Sequence, residues 1–190
     1  MEIIFVRHGE SIGNALKDEE AVYTGRWDCD LSDNGREQAK ALRGSQILQG
    51  ADVCFVSNLK RALETARIIT DAELVIDPRI QERSLGDFEQ KRIVDVMRTP
   101  EYARYFSDPE LMSFRNSFSV SAPGGESYSD VCDRVKPFLD ELMLKDYRKV
   151  IIVSHYVVIK CMMKELNKLS EEETIALKVP NCEPIRIKTD

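Results

Sequence analysis

Two histidines make up the whole imidazole complement of this chain, and each follows a short apolar run rich in β-branched residues. Ile3-Ile4-Phe5-Val6 leads into Arg7-His8-Gly9-Glu10-Ser11, and Val150-Ile151-Ile152-Val153 leads into Ser154-His155. Continuous apolar runs of this kind read as buried parallel strands. Both histidines therefore fall at carboxyl ends of strands, the edge where open α/β sheets bind ligands. A third run ends at Ser57 and is followed by Asn58-Leu59-Lys60-Arg61-Ala62, which opens a helix and sets Arg61 one turn in from the same edge. Arg7, Arg61, His8 and His155 then converge. So much positive charge is costly to gather without an anion, and the planar fork of an arginine suits a phosphoryl group. The implied ligand is a phosphate. Asn14 and Ser57 could donate further hydrogen bonds, and Gly9 would let the backbone come close.

The elements that must position these residues alternate. Strands are expected at Ile3–Arg7, Asp52–Ser57, Glu73–Asp77, Lys149–Ser154 and, more weakly, Glu183–Lys188. Helical patterns lie between them: Ser32 can cap a helix running to about Gln49, Leu59-Leu63-Ala66 repeats at helical spacing, and Val131-Val135-Phe138-Leu142 forms a stripe. Pro137 removes a backbone bond within that stripe, which predicts a kink or a 3₁₀ turn. The alternation predicts an α/β three-layer sandwich around a mostly parallel central sheet. Phe88 to Gly125 has no clear strand, two aromatic clusters and a Pro123-Gly124-Gly125 ending. It reads as an insertion over one sheet edge, either a lid and specificity element or an arm packed for stability.

Composition narrows the partners. The 190 residues carry 27 bases and 33 acids, a net charge of −6, which repels nucleic acid and anionic lipid. One domain spanning 1–190 is expected. The apolar runs are far short of a bilayer, and Met1-Glu2 leads straight into a strand, so neither a membrane span nor a signal peptide is expected. Five scattered cysteines without a Cys-x-x-Cys pair read as reduced thiols of a cytoplasmic protein. Two histidines are too few for an imidazole-built metal cluster. Monomer and small homodimer are both open.

Taken in order, Arg7-His8-Gly9-Glu10-Ser11 with Asn14, Ser57-Asn58-Leu59-Lys60-Arg61-Ala62, Glu82 and Ser154-His155 resemble the histidine phosphatase superfamily, the phosphoglycerate mutase-like family. Thr24-Gly25, Asp30-Leu31-Ser32 with Gly35, Gly86-x-x-Glu89, Pro123-Gly124-Gly125-Glu126-Ser127 and Asn181-Cys182 extend the likeness over almost the whole chain. The resemblance implies the phosphoglycerate mutase-like fold, with His8 as the nucleophile that takes the phosphoryl group. Arg7, Arg61 and His155 would hold its oxygens, Glu82 would be the proton donor, and no metal or other cofactor is called for. A histidine between arginines is pushed toward its neutral, nucleophilic form. Taken singly, each residue has a plainer reading. Arg7 and Arg61 also read as salt-bridge partners, Glu82 as a surface carboxylate, and Asn14, Ser57 and Glu10 as turn or cap residues. Ser127 with Asp130 reads as a helix cap and Glu126 as a charge at a helix start.

Two positions depart from the family pattern: Tyr156 follows the second histidine where glycine is usual, and Gln90 stands where a glycine commonly ends the segment after the acid. The chain is short beside the sugar phosphate mutases, and its Pro-Gly-Gly-Glu-Ser stretch is similar to the broad-specificity phosphatase and ribazole-phosphatase branch. Hydrolysis of a small phosphorylated metabolite is the leading expectation. Arg83, next to the acid, would bind a second anionic group of that substrate. The alternatives are a phosphoglycerate mutase-type transfer and a non-catalytic phosphate-binding domain.

Overall fold

The computed structural model describes residues 1–189. Its strands β1 (Glu2–Arg7), β2 (Val53–Val56), β3 (Leu74–Ile76), β4 (Lys149–Ser154) and β5 (Ile185–Lys188) form one sheet in the order β3-β2-β4-β1-β5. All neighbours are parallel except β5, which runs antiparallel to β1 at the edge. The register pairs Arg7 with Ser154, so the two central strands end side by side and deliver His8 and His155 to the same place.

The helices are α1 (Ile12–Ala15), α2 (Asp33–Leu42), α3 (Lys60–Ile69), α4 (Ile93–Arg98), α5 (Tyr128–Met143), α6 (Tyr156–Asn167) and α7 (Glu171–Ala176). Side chains alternate across a strand, and the sheet is buried on both faces. Ile3, Phe5, Val150 and Ile152 pack with Val131, Val135, Phe138 and Leu142 of α5 and with Val158, Ile159 and Met162 of α6. Ile4, Val6, Cys54, Val56, Ile151 and Val153 pack with Ala39 and Leu42 of α2 and with Ala62, Ala66 and Ile69 of α3. The three-layer sandwich is therefore the observed architecture.

Two expected helix details are corrected. The helix capped by Ser32 ends at Leu42, short of Gln49, because Gly44 takes φ +83 and turns the chain before a short 3₁₀ segment, Gln46–Leu48, returns Leu48 to the core. No 3₁₀ turn forms at Pro137, where α5 stays α-helical from Tyr128 to Met143. Pro137 and Asp133, whose carbonyl it leaves unbonded, both lie on the exposed face, where water can serve that carbonyl.

The stretch from Phe88 to Gly125 combines α4 with two 3₁₀ segments, Pro100–Phe106 and Met112–Asn116. It has a core of its own, in which the Phe88 ring lies 5.0 Å from Tyr102, 5.4 Å from Tyr105, 5.5 Å from Phe114 and 5.4 Å from Tyr23. Its two ends are tied together: the Asp87 N–H donates to the Pro123 carbonyl at 2.9 Å, and the Glu126 N–H donates to the Ser84 carbonyl at 2.9 Å. Gly86 takes φ +52 at this crossing, and a side chain there would strike the Pro123 backbone. Among the described residues no helix is long and apolar enough to cross a membrane.

Candidate active site

His8 leaves β1 buried, 3% exposed, with its Nδ1 2.6 Å from the Gly9 carbonyl oxygen. A carbonyl only accepts, so Nδ1 carries the ring proton and Nε2 carries the free electron pair. Arg61 agrees with that assignment, since its Nε–H donates to His8 Nε2 at 3.2 Å. Burial, followed by the charges of Arg61 and Arg7, pushes the His8 imidazole well below its ordinary value. A neutral imidazole with its lone pair on a fixed nitrogen is a competent nucleophile.

Arg61 is 1% exposed on the first turn of α3, and all three of its nitrogens are engaged. Beyond His8, Nη1 donates to the Trp27 carbonyl at 2.7 Å and Nη2 to the Gly25 carbonyl at 2.8 Å. These bonds aim the guanidinium, and Gly25 takes φ +45 in the turn that presents its carbonyl. Arg7 is bound less completely, with Nη1 donating to the Val179 carbonyl at 3.0 Å and a buried Nε that has no partner. Burial pushes both arginines down, and in each the carboxylate of Glu82 is the first counterweight.

His155, fully buried at the N-cap of α6, meets the Ser57 hydroxyl at Nε2, 2.8 Å away, while its Nδ1 has no partner. Ser57 Oγ accepts the Leu59 N–H at 3.3 Å and can still either donate to His155 Nε2 or accept from it; when it donates, Nδ1 is the protonated ring nitrogen. Ser57 thus serves the imidazole. Burial, then Arg61, His8 and Arg7, hold His155 well below the ordinary histidine value. The two rings lie 5.0 Å apart at 58°. Arg7 Nε, His155 Nδ1 and Arg83 Nε are the buried side-chain polar atoms without a partner among the described residues. Unpaired buried polar atoms are expensive, and the charges of Arg7 and Arg61 beside both histidines suit an anion.

His8, Arg61, His155 and Ser57 are joined by direct contacts, and Arg7 and Glu82 lie near enough for their charges to act on the same groups. Glu82 Oε1 accepts the Arg83 N–H at 2.7 Å. Arg83 is 6% exposed, its two terminal nitrogens each donate one bond, to the carbonyls of Phe114 and Arg115 at 3.0 Å, and its buried Nε has no partner. Asn14 Oδ1 accepts from the Ser11 hydroxyl at 3.0 Å in a reciprocal cap of α1, so only its amide nitrogen could face a substrate. Gly9 has a different reason for being glycine than close approach to phosphate: a side chain there would collide with the Gly35 carbonyl at the start of α2.

Sequence reading missed the residues that fix Glu82. Glu126 is more than a charge at a helix start, for it accepts Arg26 Nη2 at 2.8 Å, Arg134 Nε at 3.0 Å and the Ser84 N–H at 2.9 Å. Arg26 also donates to the Glu82 carbonyl at 3.0 Å, and Arg134 to the Gln81 carbonyl at 3.0 Å, so the loop carrying the acid is clamped from both sides. Burial pushes the Glu126 carboxyl up, yet Arg134, the Ser84 amide and Arg26 together outweigh it and hold the group below its ordinary value. Asn181 Nδ2 donates to the His8 carbonyl at 2.6 Å and Thr65 Oγ1 accepts the Gly9 N–H at 3.0 Å. Gln90, a departure from the pattern, keeps the left-handed backbone a glycine would adopt, φ +62, at a cost of about 1 kcal/mol. Tyr156 turns its hydroxyl to the Leu177 carbonyl, 3.4 Å away.

Paired histidines and arginines at the carboxyl edge of a parallel sheet define a class of phosphoryl-handling α/β proteins. The model of the histidine phosphatase superfamily (branch 1) matches residues 3–190, and the chain belongs to that superfamily. It is 28% identical over 199 residues to the 2,3-bisphosphoglycerate-dependent phosphoglycerate mutase of Parvibaculum lavamentivorans, covering 99% of this chain and 90% of that one. It is 34% identical over 168 residues to phosphoserine phosphatase 1 of Hydrogenobacter thermophilus, covering 85% and 74%. In fold it is similar to the alpha-ribazole phosphatase from Shigella flexneri, with a TM-score of 0.85 at 24% identity over 100% of this chain and 91% of the other.

Proposed function

We propose that the protein is a phosphatase that hydrolyses a small phosphomonoester, without a metal, through a phosphohistidine on His8. The observation that carries this reading is the 2.6 Å contact of His8 Nδ1 with the Gly9 carbonyl, which puts the ring proton on Nδ1 and the lone pair on Nε2, where the Arg61 N–H holds it until a phosphoryl oxygen takes that donor over. In the first step Nε2 forms a bond to phosphorus as the ester P–O bond breaks, and Glu82 gives its proton to the leaving oxygen. Arg7, Arg61 and His155 Nδ1–H stabilise charge on the transferring oxygens. In the second step water attacks phosphorus, Glu82 takes its proton, and the P–N electron pair returns to Nε2.

Mutase relatives support a second reading, transfer between positions of a phosphoglycerate with a bisphosphorylated primer. The segment 88–125 serves in either case as the specificity element of a single domain, and Arg83 Nε reads a second acidic group on the substrate. The protein works in the cytoplasm on a soluble metabolite. Purified protein, given an aryl phosphate with a chelator present, is expected to release phosphate, and His8→Ala is expected not to. Release only after adding a bisphosphorylated primer and phosphoglycerate would favour the mutase, and chelator-sensitive release would overturn the metal-free scheme.

A further inference from the structure

Lys160 on α6 is 1% exposed, yet its ammonium joins no ion pair among the described residues and makes one hydrogen bond, 2.8 Å to the Ile175 carbonyl. A buried ammonium without a counter-ion is unfavourable. What surrounds it is aromatic: the Tyr156 ring centre lies 4.3 Å from Nζ and the Tyr128 ring centre 6.0 Å. Each ring also carries an arginine, Arg7 at 5.1 Å from Tyr156 and Arg83 at 5.3 Å from Tyr128. The result is a column in which cations and rings alternate, Arg7, Tyr156, Lys160, Tyr128, Arg83. Its two ends are the buried guanidiniums whose Nε atoms are unpaired.

Arg7 depends on this column more than Arg61 does on its surroundings. Arg61 has all its nitrogens bound, whereas Arg7 has one bond, to Val179, about which its plane is otherwise free to turn. Tyr156 and Lys160 are four residues apart on one helix and share a face, so Lys160 seats the ring against which Arg7 lies. We propose that Tyr156, seated on Lys160, is a positioning residue for Arg7: its ring fixes the guanidinium plane and so the direction of the N–H groups that would meet the phosphoryl group. The hydroxyl has no part in this. The inference rests on the reading that Arg7 holds phosphoryl oxygens.

The test compares Tyr156→Leu, which removes the ring, with Tyr156→Phe, which removes only the hydroxyl. Calorimetry gives the affinity for inorganic phosphate, and 4-nitrophenyl phosphate hydrolysis gives kcat/KM. Tyr156→Leu is expected to weaken both about tenfold, the scale of a desolvated cation–π contact, with Tyr156→Phe restoring both. In an Arg7→Ala background the leucine substitution should add less than about twofold, because a ring that acts through Arg7 has nothing left to position. Equal losses in Leu and Phe, or an undiminished loss without Arg7, would overturn the proposal. Should Tyr156→Leu not fold, Lys160→Met is expected to weaken phosphate binding with Lys160→Arg restoring it, and unchanged binding in Lys160→Met would overturn it. Phosphate affinity does not depend on turnover. A wild-type protein that binds phosphate without hydrolysing the ester loses the proposed function and leaves this inference standing, and one that binds none loses both.

Discussion

Glu82 and Arg61 contribute in different ways, and substitution separates them. Arg61 is fixed by two carbonyls and by His8, so Arg61→Lys, with one point charge in place of a fork, is expected to lower kcat/KM by about 100-fold or more; a loss below about tenfold would show that charge alone suffices. In the proposed scheme Glu82 acts on the leaving oxygen, so its worth would depend on how much that oxygen needs a proton. Glu82→Gln should cost about 10²–10⁴-fold on an alkyl phosphate and far less on 4-nitrophenyl phosphate, whose phenolate leaves unaided. Equal losses on both, measured as kcat, would remove Glu82 from the acid role. Arg83→Ala should lower kcat/KM for a phosphorylated carboxylate more than for a neutral phosphoester, and a proportionate loss on both would remove Arg83 from specificity. Arg7, His8, Ser57 and His155 were legible because apolar strands end directly at them, and Arg61 because it opens the helix that follows, whereas Glu82 and Arg83 stood out only through the family resemblance. Arg26, Glu126 and Arg134 were not legible, since 100 residues separate Arg26 from its partner and no local pattern records that contact.

At the scale of elements, the site is assembled where β1, β2 and β4 end, and α3 locks it. Thr65 Oγ1 donates to the Arg61 carbonyl at 2.7 Å and accepts the Gly9 N–H at 3.0 Å, which joins the helix to the loop after His8. Thr65→Val keeps the shape and orphans a buried amide, so it should cost about 1–3 kcal/mol in urea unfolding. No change in midpoint would show that the loop relaxes to water. The strands and the α5 stripe were readable from apolar periodicity. The end of α2 is also written in the sequence, in Gly44, a residue that commonly follows a helix end because it takes left-handed φ, and the expected run to Gln49 passed over it. The core of the 88–125 segment could not be foreseen, because its rings meet through turns whose direction spacing does not encode.

Across the whole molecule, the sheet buries both histidines in their neutral forms and couples the site to stability. Their folded values lie below the unfolded value near 6.5, so the unfolded chain takes up protons that the folded one refuses. The stability this contributes is complete above about pH 6.5 and is lost as pH falls below it, by up to about 1.4 kcal/mol per pH unit for each histidine. Urea midpoints between about pH 7.5 and 5.5 should show that slope, and His155→Gln should remove about half of it; a flat profile would place protonated imidazoles in the folded protein. The central claim, that His8 Nε2 takes the phosphoryl group, has a more direct test. A rapid-quench single turnover with radiolabelled aryl phosphate, stopped in alkali, should trap label on the protein that is stable to base, released by acid, and absent from His8→Asn. Phosphate released at the wild-type rate by His8→Asn, or label found on another residue, would contradict the account.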